Sequence, residues 1–295
     1  MQTLSDEKLK QAKDIVRKVK IPSQPTIVLE LSKEMKQEQP DFKKIGELVS
    51  RDAALSARVL NVINSPFFGV SRKVESIVQA LTLMGLANFF KVVLTACLRD
   101  AFGGAKESDK LFWDHSMRAA VAAEGIAKAA RATLTLDGIS TDQAYMAGLF
   151  HDSGIPLLVG RLPQYQPLVT MALSHKSRMP VAEDKLAGTD HCLIGHMMAK
   201  SWSVPDKICK AILHHHAVAP QADDDFPAKL VAVVQLADYI AYSCDYSLGA
   251  SASIIEREWG VEEWCQLHAP FLDVLDLGLA EVSELKAEIM ERLLE

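Results

Sequence analysis

A chain of 295 residues is long enough to bury a substantial core, as one large domain or two smaller ones. Its 49% hydrophobic and 24% charged residues are the balance of a folded globular protein, and a formal charge of −6 leaves no electrostatic footprint for nucleic acid. No unbroken apolar stretch approaches the roughly 20 residues of a membrane helix. The polar start MQTLSDEKLKQ is no secretory signal, and the five cysteines are scattered, with no Cys-x-x-Cys pair, which argues for reduced thiols. These features predict a cytoplasmic protein with neither a nucleic-acid nor a membrane partner.

Apolar residues recur at a period close to 3.6 nearly everywhere and strict alternation is nearly absent, which predicts an all-α chain. Leu9, Ala12, Ile15 and Val16 predict a helix over 4–19 with Ser5 as its cap; the early lysines and arginines (Lys8, Lys10, Lys13, Arg17) read as a solvated face. Pro22 and Pro25 in IPSQP interrupt the pattern, because proline has no amide donor. Thr26–Gln37 resumes it, and Asp41 is placed to cap a short helix bearing Ile45, Leu48 and Val49. AALSARVLNVIN, from Ala53, is helical and NSPFFG (64–69) ends it. Two apolar helices fill 76–102, divided near Gly85. Gly103-Gly104 and the charged KESDK mark the best internal boundary. A long helix follows from about Asp109 to Ala132, and others fit 141–152, 163–176, 190–201, 205–216, 227–244 and 280–294. The predicted organisation is a helical lobe over 1–104, a second over 105–245 and a helical extension over 246–295, without internal repeats.

Eight of the nine histidines fall between positions 115 and 216. His115 sits on the long helix, one turn from an apolar face. His151 and Asp152 end a helix whose body is AYMAGLF, His191 opens another after Thr189-Asp190, and His214, His215 and His216 close AILHHH. Asp238 stands in the apolar run VAVVQLADYIAY. A carboxylate there is costly to bury unless it is paired or binds a metal, and the same holds for Asp152. Imidazole and carboxylate together suit zinc, iron, manganese and nickel, and packed helices can aim such ligands at one point. Taken singly, each histidine is more often a hydrogen-bonded core or surface residue, and His175 and His268 read that way. Taken together with two carboxylates in apolar helices, they predict a shared polar site. A cluster held by hydrogen bonds alone is the metal-free alternative. Nucleophilic catalysis by Cys192 beside His191 is disfavoured, since helix neighbours point about 100° apart.

The pattern of His115, His151-Asp152 and Asp238 resembles the signature of the HD superfamily of metal-dependent phosphohydrolases. His191 in DHCLIGH and His215-His216 match the further ligands of the bimetallic HD-GYP cyclic-dinucleotide phosphodiesterases. The chain is most similar to the HDOD domain, a regulatory relative of that group. The resemblance is carried by IPSQPTIVLEL (21–31), SRDAALSARVLNVINSPFFG (50–69) and SIVQALTLMGL (76–86), then by LFWDHS, AYMAGLFHDSGI and TDHCLIGH. It implies a two-lobed, all-α architecture with an HD-like second lobe. It also implies a metal shell of His115, His151, Asp152, His191, His215, His216 and Asp238 for one or two divalent ions (Fe, Mn, Zn or Ni), with Asp152 as the bridging ligand.

The chain departs from the HD-GYP enzymes at two places. Their pair reads HDxGK, with a lysine that can hold a substrate phosphate as a point charge; this chain has Ile155 there. The GYP loop is replaced by AVAPQADDDFPAK (217–229), whose three aspartates would repel phosphate if they faced the site. Arg118, one turn beyond His115, reads as a solvated residue, and no general acid is identifiable. These departures predict a regulatory, signal-transducing module that acts through a protein partner, with SPFFG as a candidate contact. The alternative is a metal-dependent phosphohydrolase acting on a nucleotide or cyclic dinucleotide, for which a small phosphorylated ligand would be the partner.

Overall fold

The structure, a computed structural model, describes residues 21–65, 68, 70–102, 110–130, 139–160, 162, 165, 179–248 and 260–294. In chain order the helices are α1 (Thr26–Met35), α2 (Phe42–Ser50), α3 (Ala53–Ile63), α4 (Ile77–Ala101), α5 (Lys110–Ala129), α6 (Thr141–Phe150) and α7 (Gly154–Val159). They continue with α8 (Met179–Ala187), α9 (His191–Ser201), α10 (Asp206–His214), α11 (Ala228–Ser247), α12 (Val261–Leu275) and α13 (Leu279–Leu294). No strand occurs among the described residues, so the fold is all-α as the period predicts. The helix expected over 4–19 lies outside the described residues, as does that over 163–176 apart from Tyr165. The chain divides into two compact units, one of them Pro22–Lys110 and the other containing Leu111–Glu295.

In the unit Pro22–Lys110, side chains that accept from the exposed first-turn amides start the helices. Asp41 accepts from Lys44 N at 3.0 Å, Asp52 from Leu55 N at 2.9 Å and Ser76 from Gln79 N at 3.1 Å. Helices α1, α2 and α3 all pack on α4, burying Leu31, Ile45, Val49, Val59, Ile63 and Phe89. Asn64 closes the following loop: its Nδ2 donates to the carbonyls of Leu60 and Val74, and its Oδ1 accepts from Val74 N. Of the SPFFG contact candidate, Phe68 is half-buried, while Pro66, Phe67 and Gly69 lie outside the described residues.

Gly85 interrupts α4 with φ 72° and ψ 170°, a conformation that essentially only glycine adopts, so the helix kinks where the sequence predicts a division. The expectation that no apolar stretch approaches the length of a membrane helix does not hold for α4. Across the kink α4 contains an 18-residue window of mean hydropathy 1.8, apolar enough by length and composition to cross a membrane. Gly85 divides the run in the sequence and so hides its full length. More than half of that window, 56%, is buried within the protein, as expected of a core helix that three others cover.

In the other unit α11 is the central element, packed against α6, α10, α12 and α13. Its residues are buried on nearly every side from Leu230 to Asp245, which accounts for a run apolar all round. Helix α6 begins with a capping box, in which Ser140 accepts from Gln143 N and Gln143 Oε1 accepts from Ser140 N. Helices α9 and α10 pack on each other, and α7 packs on α9.

Candidate metal centre

Two glycines set the distances between the helices that carry the histidines. A Cβ on Gly148 of α6 would lie 2.6 Å from the carbonyl oxygen of Ala119 in α5. A Cβ on Gly154, the first residue of α7, would lie 2.1 Å from the carbonyl oxygen of His191. Only hydrogen fits at either place, so the turn His151-Asp152-Ser153 is pressed between the α5 backbone and the start of α9.

The structure brings all seven predicted side chains together around Asp152. Its Oδ2 faces one pair of rings, 3.2 Å from His151 Nε2 and 4.0 Å from His115 Nε2. Asp238, on α11, adds Oδ1 at 3.0 Å from His115 Nε2 and 3.7 Å from His151 Nε2. The other oxygen, Oδ1, faces the second pair, 3.4 Å from His191 Nε2 and 3.3 Å from His215 Nε2. The His216 ring centroid lies 4.2 Å from that of His215 and 5.1 Å from that of His191.

What lies behind the rings decides which nitrogen faces the centre. His115 Nδ1 is 2.7 Å from Asp245 Oδ2 and His191 Nδ1 is 2.7 Å from Glu183 Oε2. His151 Nδ1 is 2.7 Å from the Gly148 carbonyl and His215 Nδ1 is 2.7 Å from the Ile212 carbonyl. Carbonyls and carboxylates only accept, so each Nδ1 carries the proton, and in the neutral ring each Nε2 offers a lone pair inward. His151 Nε2 is buried and makes no hydrogen bond, although a carboxylate oxygen stands 3.2 Å away. An orphaned, buried lone pair facing carboxylate oxygens fits a cation between them, and nitrogen and oxygen donors suit the transition ions expected.

The charges respond to this enclosure. Burial alone would push the Asp152 carboxyl up, but the surrounding imidazoles of His151, His215 and His191 hold it well below the ordinary carboxylate range. Burial pulls His215 down, yet Cys192 and Asp152 beside it bring it up to about 10. Burial likewise opposes protonation of His191, which Cys192 and Glu183 raise well above the usual histidine range. His216 is pushed well below that range by burial and by its neighbours His215 and His191.

Three participants escape the sequence reading. Asp245 and Glu183 stand behind His115 and His191, and Glu183 also accepts from the His191 backbone N–H and from the Tyr165 hydroxyl. Cys192 has its Sγ 3.5 Å from His191 Nε2; its ligand atom and those of His191, His215 and His216 all lie within 4.8 Å of one another. The 100° offset between helix neighbours does not part these two, because a long imidazole can lean over the shorter thiol. Arg118 is a second correction: it is buried, and its guanidinium is bound by Asp245 Oδ1. Two α-helical turns separate Asp238 from Asp245, so one face of α11 serves both His115 nitrogens and Arg118.

The remaining histidines stand apart. His196 Nδ1 meets the Cys209 carbonyl at 2.8 Å, His268 stacks on Trp264, His214 packs on Phe226, and His175 lies outside the described residues. Ile155 is buried in the first turn of α7. Asp223, Asp224 and Asp225 are exposed, and Asp225 pairs with Lys210.

Comparison with known proteins agrees with this architecture. An HDOD protein of unknown function from Geobacter sulfurreducens is 25% identical and superposes with a TM-score of 0.67 over 98% of both chains. A candidate phosphohydrolase from Shewanella amazonensis shares the fold, with a TM-score of 0.65 at 23% identity over 95% of this chain and 97% of that one. An uncharacterized protein of Treponema pallidum is 24% identical over 207 residues, 70% of this chain but only 39% of that protein's length. The chain thus spans well under half of that relative. The HDOD domain model matches residues 21–218, most of the chain and both units, and the chain belongs to the HDOD domain family.

Proposed function

We propose that the chain is a regulatory module that acts through a signalling protein partner, with one or two divalent transition ions organising its HD-like lobe (105–245). His115, His151, Asp152 and Asp238 would hold one ion, and His191, His215 and His216 the second, with Asp152 between them. Asp245, Glu183 and the carbonyls of Gly148 and Ile212 keep the rings oriented by accepting their Nδ1 protons. A bound ion of this kind supplies Lewis acidity and lowers the pKa of a coordinated water.

One observation favours regulation over turnover. The inward-facing donors are all present, while among the described residues neither Ile155 nor Arg118 offers a charge to a substrate phosphate. Ile155 occupies the lysine position as a buried hydrocarbon, and Arg118 is neutralised by Asp245. The phosphohydrolase reading keeps one observation of its own: two sets of donors share the two oxygens of a single carboxylate, an arrangement suited to a pair of ions.

The test is turnover. The full chain, loaded in turn with Fe, Mn, Ni and Zn, is offered nucleotides and cyclic dinucleotides. The regulatory reading expects no hydrolysis above that of an Asp152→Ala control. Multiple turnovers that the substitution abolishes would establish the enzyme instead.

A further inference from the structure

We propose that Cys192 is a metal ligand, and that the half of the centre facing Asp152 Oδ1 is a mixed oxygen, nitrogen and sulfur site built from Asp152, His191, His215 and Cys192. The inference rests on the metal-centre reading above and puts the Cys192 thiolate in the position that reading gives to His216.

Distances between the donors carry it. Around a four-coordinate ion with nitrogen or oxygen at about 2.1 Å, tetrahedral geometry puts neighbouring donors roughly 3.4 Å apart; a sulfur at about 2.3 Å lies roughly 3.6 Å from a nitrogen. Asp152 Oδ1 is 3.4 Å from His191 Nε2 and 3.3 Å from His215 Nε2, and the two Nε2 atoms are 3.3 Å apart. Cys192 Sγ is 3.5 Å from His191 Nε2, and its thiol is buried. These four separations match four of the six edges of such a tetrahedron, and Cys192 Sγ lies within 4.8 Å of the His215 ligand nitrogen as well.

Hydrogen bonding among the same groups explains less. Both rings spend their Nδ1 proton on an acceptor, so in the neutral, metal-binding form two Nε2 lone pairs face each other at 3.3 Å, and without a metal that contact requires one ring to take up a further proton. A thiol has one proton and can satisfy only one of them. A cation at the middle satisfies both, and a thiolate offsets its charge. The close approach is built into the backbone: Gly154 admits the carbonyl of His191, and a Cβ on Gly195 would meet Ser153 Oγ at 3.1 Å. A sulfur donor shifts the preference of this half towards zinc, cobalt or iron and away from magnesium and manganese.

The experiment is titration of metal-free, full-length protein with Co(II), followed by its near-ultraviolet spectrum, on the wild type and Cys192→Ser. The expected result is a thiolate-to-cobalt charge-transfer band in the wild type that vanishes in Cys192→Ser. The variant should lose at least the roughly tenfold in affinity that removing even an outer partner costs. Zinc-edge X-ray absorption of the wild type keeps the test independent of the variant's folding: one sulfur scatterer at about 2.3 Å is expected. Cobalt bound without the band, a band that persists in the variant, or a zinc shell of nitrogen and oxygen alone would overturn the role of Cys192 and leave the metal centre standing, with His216 as the fourth donor. A wild type that binds neither cobalt nor zinc would overturn the centre itself.

Discussion

Four imidazoles share one arrangement, an acceptor behind Nδ1 and Nε2 turned inward, and two of the acceptors are carboxylates, Asp245 130 residues from His115 and Glu183 eight residues from His191. Asp245 stands behind His115 and also pairs with Arg118, with both partners buried. Removing it takes the carboxylate from a buried guanidinium. Asp245→Ala should therefore lower stability by about 3–5 kcal/mol, read from urea unfolding. An Arg118→Met/Asp245→Ala double variant should recover much of the loss, and an equal loss in both would show that the pair does not matter.

Protonation of the metal-free centre has a definite sign. His215 is raised to about 10 from an unfolded value near 6.5, so its contribution to the stability of the metal-free protein is complete below about pH 6.5 and disappears as pH rises through about 10. A metal must displace that proton. Apparent metal affinity should fall as pH drops, and calorimetry in buffers of different ionisation enthalpy should show proton release on binding. Binding without proton release would contradict the assignment of His215.

Five of the seven candidate ligands were legible because a His-Asp pair, a His-His pair and a lone aspartate in an apolar helix stand out in a sequence; His115 and His191 joined them through the family resemblance. Asp245 repeats the signal of Asp238 seven residues later, and the same rule applied to it would have found it. Glu183 was not: in VAEDKLAG it reads as part of a solvated charge run, and its burial depends on Tyr165 and His191 arriving from other segments. Arg118 misled for the same reason.

At the scale of the helices, two glycines are required for different reasons. Gly85 has its left-handed φ but nothing within 4 Å of where a Cβ would stand, so Gly85→Ala should cost about 1–3 kcal/mol from backbone strain alone. Gly154 has an ordinary backbone but a carbonyl at 2.1 Å. Gly154→Ala should cost at or above the upper end of the roughly 1–3 kcal/mol of overpacking and also weaken metal binding, because it displaces His191 from Asp152. Thermal melts with and without zinc separate the two; equal metal dependence in both variants would contradict the role given to Gly154. Most long helices, and the division at Gly85, follow from the 3.6 period and the punctuating residues. The short α7, with Pro156 inside, and α12, with Pro270 inside, do not, because proline argues against a helix unless packing supports it.

On the scale of the whole molecule, a bound ion ties α5, the turn after α6, α9, the end of α10 and α11 into one unit. Metal at a hundred times its dissociation constant should stabilise that unit by about 2.7 kcal/mol, and a chelator should reverse it. That coupling between occupancy and stability is how a regulatory module would report its metal state to a partner. The central claim, that the His-Asp cluster holds metal, is met most directly by elemental mass spectrometry of tag-free protein purified without oxygen, beside Asp152→Ala checked for native helicity by circular dichroism. The account predicts one to two transition ions per chain in the wild type and none in the variant. A wild type free of metal, and still free after incubation with Fe, Mn, Zn and Ni, would contradict it.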